Sequence, residues 1–253
     1  MKDTVLITGA TSGIGEATAK LLGKNKYRLI ITGRRKERLQ KLSDFLQSEY
    51  GTDVCILNFD IREFNEVKKA IDSLPEKFKQ IDVLINNAGL ASGLDPIHNG
   101  SLDDWEIMID TNVKGLLYIT KLVSPQMVNR KKGYIINIGS IAGKEVYPNG
   151  NVYCATKHAV EALTKAMRID LLPYGIKVSQ IAPGMVNTEF STVRFHGDNK
   201  KADNVYKGLN PLVGEDIADI ILYLLNTPPH VCINDLVVMP LAQASATNVI
   251  RTE

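Results

Sequence analysis

Seven short apolar bursts recur along this chain with longer amphipathic stretches between them, and that rhythm constrains the fold more than any other feature. The bursts are TVLIT (4–8), RLIIT (28–32), DVCIL (53–57), IDVLI (81–85), YIINI (134–138), KVSQIAP (177–183) and LVVM (236–239). They are rich in Val, Ile and Leu and mostly bounded by Gly, Asn or Pro, as strands buried on both faces are. Helical periodicity fills 13–23, 35–49, 63–73, 101–129, 151–172 and 214–226. Strand alternating with helix predicts an α/β fold: a doubly wound parallel sheet with right-handed crossovers and helices on both faces. No Gly/Ser/Pro-rich linker divides the chain and no repeat recurs, so one domain over 1–253 is expected. The exception to the rhythm is 184–212, polar and weakly periodic after a strand's end, where long segments often form lids.

The bulk properties narrow the function classes. Thirty Lys and Arg against 28 Asp and Glu leave a net charge of +2. That balance gives no reason to expect nucleic acid or an anionic membrane as partner. No apolar run reaches the ~18–20 residues that span a bilayer, and the opening MKDTVLITGA is too short for a signal-peptide core. Three cysteines, Cys55, Cys154 and Cys232, are odd in number and far apart, against a disulfide framework. A reduced, cytoplasmic enzyme is the expectation. His98, His196 and His230 show no metal-ligand spacing, so no metal site is expected.

Gly9, Gly13 and Gly15 lie between the first strand and the first helix. Glycine there lets the backbone turn tightly and approach a pyrophosphate, which the helix N-terminus then meets with free N–H groups. The context, after strand one and before helix one, is the one the fingerprint requires. At the end of the second strand a site for unphosphorylated NAD would place an acid for the ribose 2′-OH. Here Arg34 and Arg35 stand instead, with no acid before Glu37. Two guanidiniums suit a 2′-phosphate, and cations at a helix N-terminus are unfavourable without an anion. NADP(H) is therefore expected over NAD. Asp60, closing strand three, either meets the adenine amino group or caps a helix. Asn86, Ala88 and Gly89 close strand four with small residues where a bound ring would pass.

The stretch NVYCATKHAV (151–160) offers two pairs of reactive residues at i,i+4. Turned at 100° per residue, the stripe from Cys154 continues His158, Glu161, Lys165 and Arg168, a polar face turned to solvent or a subunit contact. The stripe from Tyr153 continues Lys157, Val160, Thr164, Met167 and Leu171, toward the sheet. Tyr153 and Lys157 are thus the acid/base candidates, with Lys157 expected to pull the phenol's pKa of about 10 toward the working range. Cys154–His158 lacks a third orienting group. Ser140, just past strand five, has a hydroxyl able to donate to a substrate carbonyl or to cap a turn.

These residues carry a resemblance. Thr8-Gly9-x-x-x-Gly13-x-Gly15, Asn86-Asn87-Ala88-Gly89, Asn112, Ser140, Tyr153-x-x-x-Lys157 and Pro183-Gly184 with Thr188 resemble the short-chain dehydrogenase/reductase family, in order and over nearly the whole chain. The resemblance implies a Rossmann-like, seven-stranded sheet and a homotetramer. It implies Tyr153 as acid/base, Lys157 as its tuner, Ser140 orienting the carbonyl, Asn112 holding a proton-relay water and Thr188 holding the nicotinamide amide. The cofactor set it implies further takes in Thr11, Ser12 and Ile14 in the glycine turn, Ile61 after strand three, Asn87, and Val186 beside Pro183 and Gly184. TGRRKERL, GLASGLDPIH, TEFSTVRFHGD and VCINDLVVMP are similar to the NADP-dependent 3-hydroxy acid dehydrogenases, which act on serine, allo-threonine and malonic semialdehyde.

A small hydroxy acid carries a carboxylate, so its pocket needs a cation, and Arg194 in the 184–212 segment is the candidate. The expected function is hydride transfer between NADP(H) and a small 3-hydroxy or 3-oxo acid. Two rivals stand beside it: a broader carbonyl or ketoacyl reductase, whose carrier would dock on Arg130, Lys131 and Lys132, and a non-catalytic NADPH-binding regulator.

Overall fold

The computed structural model describes residues 3–252. Seven strands form one sheet in the order β3-β2-β1-β4-β5-β6-β7, every pairing parallel. They are β1 (Thr4–Ile7), β2 (Arg28–Gly33), β3 (Val54–Asn58), β4 (Val83–Asn86), β5 (Tyr134–Ile138), β6 (Lys177–Pro183) and β7 (Asp235–Val238). The order reverses between β1 and β4, and in such sheets ligands bind outside the carboxyl ends of the strands at that point.

The helices are α1 (Gly13–Lys24), α2 (Lys36–Tyr50), α3 (Phe64–Asp72), α4 (Leu102–Ile109), α5 (Leu116–Arg130), α6 (Asn151–Leu171), α7 (Phe190–Arg194), α8 (Asn199–Tyr206) and α9 (Gly214–Leu225). Strand side chains alternate between two cores. Val5, Ile7, Leu29, Ile31, Val83, Ile85 and Ile136 meet Leu22, Leu39, Leu46, Ile217 and Ile221 from α1, α2 and α9. Leu6, Ile30, Leu84 and Ile135 meet Val67, Ile119, Val123, Met127 and Met167 from α3, α5 and α6. Both faces are thus covered, as the near-continuous apolar runs require, and each such side chain buried contributes about 1.5–3 kcal/mol.

Three expectations need amendment. The 101–129 helix is broken: a π-helical turn at Asp110–Gly115 separates α4 from α5. The buried Asn112 side chain holds that turn, its Oδ1 accepting from the Leu90 amide and its Nδ2 donating to the Leu90 carbonyl, both at 2.8 Å. β7, read as buried, is an edge strand with Asp235 and Val237 exposed. The 184–212 segment contains α7 and α8, too short for periodicity to reveal. Tyr206 ties α8 back to the segment's start, its hydroxyl donating to the Val186 carbonyl at 2.9 Å.

Candidate active site

The site begins where β1 and β4 end. Thr8 Oγ1 accepts the amides of Asn87 and Ala88 at 3.0 and 2.9 Å, and Asn87 Nδ2 donates to the carbonyls of Thr8 and Gly9 at 2.8 and 3.1 Å. These bonds pull the glycine turn against β4. Gly9 has φ +67°, and a Cβ there would stand 2.9 Å from Ala88 Cα; a Cβ on Gly15 would stand 2.4 Å from the Gly9 carbonyl oxygen. Any side chain would push the turn and the first turn of α1 apart, so glycine preserves a cradle at the helix N-terminus.

Above the cradle lies a cleft of about 340 Å³. The turn lines it with Gly9, Thr11, Ser12, Gly13 and Ile14, and the ends of β2 and β3 add Arg34, Arg35, Asp60 and Ile61. From the β4 end come Asn87, Ala88 and Gly89, and from the far side Ser140, Tyr153, Lys157, Pro183, Gly184, Val186 and Thr188. Gly15 and Asn112 lie behind this wall. The cradle that a Cβ would fill, the elongated cleft and the cations at one end fit a phosphorylated dinucleotide.

The cationic end is more structured than the sequence suggests. Arg35 Nε and Nη2 donate to Thr11 Oγ1 at 3.1 and 2.8 Å, and Nη2 also to Ser12 Oγ at 2.8 Å. Its Nη1 donates to Glu189 Oε2 at 2.7 Å, while Arg38 Nη1 donates to Glu189 Oε1 at 2.6 Å. Burial raises the Glu189 carboxyl, but the two guanidiniums prevail and hold it below the usual carboxylate range. Asp60 neither caps α3, whose N-cap is Glu63, nor is free: Arg62 grips it at 2.6 Å, with Arg34 at 3.7 Å.

At the other end α6 presents Tyr153 and Lys157, both buried. Tyr153 meets the Phe190 ring edge-on, centroids 5.5 Å apart. Burial pushes its phenol above the ordinary value and the Tyr147 phenol adds to that, against a hydrogen bond from Ser140 and the Arg194 charge, which pull it down. Lys157, expected from its i,i+4 spacing to pull the phenol down, stands close to that ring. Its Nζ lies 6.0 Å from the Tyr153 ring centroid and donates to the Ile138 carbonyl at 3.0 Å. Burial lowers its own pKa to about 8. Ser140 does cap, accepting from the Ala142 amide at 3.1 Å, and still faces the cleft beside Tyr153.

Arg194 sits at the end of α7. Its Nε donates to the Gly93 carbonyl at 3.2 Å and its Cζ lies 5.4 and 5.5 Å over the rings of Tyr147 and Tyr153. Its Nη2 is buried and has no hydrogen-bond partner among the described residues. Together with Tyr153 and Met108 it lines a narrow recess beside the cleft.

Cys154 departs from expectation. It is 1 % exposed, clustered with Met108 and Ala142 and covered by Tyr147, because the 144–150 loop folds over that side of α6. His158 is exposed, its Nδ1 2.9 Å from the Cys154 carbonyl oxygen rather than engaged with the thiol. Glu189, Phe190, Tyr147 and Arg38 were not legible as site residues. Only the fold brings Glu189, 154 positions along the chain, to Arg35.

Fold and site together define a dinucleotide-binding α/β protein with a tyrosine and a lysine at the cofactor cleft. Residues 3–199 match the short chain dehydrogenase family. The chain is 45 % identical, over 99 % of its length and 97 % of the relative's, to an NADP-dependent 3-hydroxy acid dehydrogenase of Schizosaccharomyces pombe. It is 47 % identical to the NADP-dependent 3-hydroxy acid dehydrogenase YdfG of Salmonella typhi, over 96 % of each chain. The closed form of a serine dehydrogenase complexed with NADP+ superposes with a TM-score of 0.92 at 43 % identity, covering 99 % of this chain and 100 % of the other. The chain belongs to the short-chain dehydrogenase family.

Proposed function

We propose that this chain transfers hydride between NADP(H) and a small 3-hydroxy or 3-oxo acid, in the class of serine, allo-threonine and 3-hydroxypropionate or malonic semialdehyde. The relatives' names support both the cofactor and the substrate class. The observation that carries the acid specificity is the buried Nη2 of Arg194 with no protein partner, beside the Tyr153 ring. An unmet buried guanidinium N–H is costly, and a carboxylate repays that cost with a charge-assisted bond.

The residues divide the work as follows. The glycine turn and Ser12, Gly13 and Ile14 at the α1 N-terminus hold the pyrophosphate, while Arg34 and Arg35 receive the 2′-phosphate. Thr188, against Gly13, holds the amide end of the cofactor. NADP, when bound, supplies the hydride acceptor. Arg194 orients the substrate by its carboxylate, and Ser140 Oγ directs the reacting oxygen toward Tyr153. Tyr153 takes the hydroxyl proton in oxidation and returns it in reduction. Lys157 holds a nicotinamide ribose hydroxyl. Both amide hydrogens of Asn112 are spent on Leu90 and Thr156. The side chain therefore fastens the π turn to α6 and to the segment after β4, and the relay water that the family resemblance implies at Asn112 would have to be held by another group of this residue.

The ketoacyl reductase reading is weaker. Arg130 donates to Gln126 Oε1 and the Ile81 carbonyl, and Lys132 pairs with Asp3. That turn precedes β5 and lies at the amino end of the sheet, roughly a strand length of 17 Å from the cleft at the carboxyl ends. A sensor without catalysis has no use for Ser140, Tyr153 and Lys157 gathered in one cleft. A homotetramer is what the family resemblance implies for this chain, and the cytoplasm is the compartment expected from its sequence; its three cysteines are unpaired, and among the described residues no helix is long and apolar enough to cross a membrane.

The deciding experiment assays small hydroxy acids, aldehydes and neutral alcohols in parallel with NADP⁺/NADPH and NAD⁺/NADH. Highest kcat/KM for 3-hydroxy acids with NADP⁺ is expected. Equal efficiency on neutral alcohols overturns the substrate class, and equal efficiency with NAD⁺ overturns the cofactor.

A further inference from the structure

One of the two arginines at the ribose end of the cleft, Arg35, already holds an anion, and it belongs to the protein. Glu189 gives one carboxylate oxygen to Arg35 and the other to Arg38, at 2.7 and 2.6 Å, from 154 and 151 residues further along the chain. We propose that Glu189 is an internal competitor for the 2′-phosphate, a specificity-determining residue that NADP(H) must displace from Arg35 and that NAD(H) leaves in place. This rests on the reading of Arg34 and Arg35 as the 2′-phosphate site.

The charges gathered on Arg35, more than its donor count, favour exchange over sharing. A guanidinium has five N–H donors. In Arg35, Nε and Nη2 are committed to the Thr11 and Ser12 hydroxyls, and Nη1 to Glu189. The hydroxyls are neutral and rotate, so each can turn and donate to a phosphate oxygen. The Glu189 carboxylate is acceptor-only, and the two guanidiniums, by lowering its pKa, keep it charged at neutral pH. Held on the same guanidinium, it faces a phosphate monoester of charge about −1.5 to −2. Like charges sharing one cation at such distances are disfavoured, and the neutral partners stay while the charged one leaves.

The other acid at this end does not compete in the same way. Asp60 is gripped by Arg62 through Nε and Nη2, and its contact with Arg34 is the looser 3.7 Å. Arg34, half-exposed, is thereby left to the phosphate. Glu189 instead ties Arg35, which a 2′-phosphate would draw on, to Arg38 one helical turn on. It also stands at the N-cap of α7, next to Phe190, which meets Tyr153. Cofactor charge is thereby read by the same short segment that carries Arg194. The pairs are half-exposed, and exposed pairs are each worth a factor of about 1.5 to 5 in an equilibrium constant. The expected effect is correspondingly modest.

The test is direct binding, without turnover. Dissociation constants of NADPH and NADH are measured by fluorescence, and of 2′,5′-ADP and 5′-AMP by calorimetry, for the wild type, Glu189→Gln and Arg35→Gln. Glu189→Gln is expected to tighten NADPH and 2′,5′-ADP about threefold to tenfold, with NADH and 5′-AMP changed less than twofold. Unchanged or weakened NADPH, or equal tightening of all four ligands, overturns the proposal. Arg35→Gln separates this from the underlying reading. If it leaves the NADPH over NADH preference intact, the 2′-phosphate site itself is misplaced; if the preference falls while Glu189→Gln does nothing, only the competitor is refuted.

Discussion

The guanidinium of Arg194 lies 5.5 Å over the ring of Tyr153 with its buried Nη2 unmet by any described protein group. Cation and phenol are thus held together by α7 and α6, whose contact closes through Phe190. If Arg194 receives a substrate carboxylate, Arg194→Ala removes a charge-assisted bond worth about 1.5–3 kcal/mol. KM for serine and 3-hydroxypropionate is then expected to rise on the order of 10- to 150-fold. A neutral alcohol should show little change, and Arg194→Lys should recover part of the loss. An unchanged KM for serine removes Arg194 from the pocket.

Tyr153 is tested by taking its oxygen alone. Tyr153→Phe keeps the ring against Phe190 and in its cluster with Met108 and Ala142, so the fold and the cofactor cleft persist. Loss of positioned proton transfer costs about 10²–10⁴ in kcat, while NADPH affinity stays within about twofold because the ring still lines the cleft. Stopped-flow turnover and fluorescence titration on the same preparation separate the two. Full turnover in the phenylalanine variant would transfer the proton chemistry to another group.

The sheet could be read from the sequence because its strands are buried on both faces. A run such as Leu29-Ile30-Ile31 must find two cores, and it does, Leu29 and Ile31 on one side and Ile30 on the other. The glycine turn could be read because Gly9 and Gly15 leave no room for a Cβ, a constraint written locally. What could not be read depends on distant parts of the chain. The burial of Cys154 depends on where the 144–150 loop lies, and helical rotation, which sees only α6, turned it to the polar side. Glu189 carries no local pattern, and its meaning arises only when the segment after β6 crosses to the start of α2. The bond from Lys157 Nζ to the Ile138 carbonyl was likewise hidden, because spacing places two side chains near each other without saying where Nζ points.

Burial raises the Tyr153 phenol above its ordinary value. At neutral pH the group is therefore protonated, ready to donate in carbonyl reduction and in the wrong state to accept a proton in alcohol oxidation. Below that pKa the phenolate fraction grows tenfold per pH unit. kcat/KM for oxidation is expected to rise with a log slope of about +1 between pH 7 and 9, while reduction stays level or declines. A flat oxidation profile over that interval would show that proton removal by Tyr153 does not limit the reaction.

Lys157 leads to a stability prediction of opposite sign to most mutations. Burial lowers its pKa from the ordinary 10.5 to about 8. The unfolded chain therefore binds the proton more tightly than the folded one between those values. The folded protein bears the full cost of the buried charge below pH 8, and stability rises as pH climbs from 8 toward 10.5. The difference corresponds to roughly 3 kcal/mol at neutral pH, at 1.36 kcal/mol per pH unit. The bond from Nζ to the Ile138 carbonyl offsets about 1 kcal/mol of what Lys157→Met would gain. The variant is expected to unfold about 4–8 °C higher at pH 7, at 2–4 °C for each kcal/mol in a chain of this size. That advantage should shrink by pH 10, while turnover collapses. Calorimetry at the two pH values checks it. A lower midpoint at pH 7 would mean that contacts of the ammonium group outweigh its desolvation, and that Lys157 supports the fold as well as the cofactor.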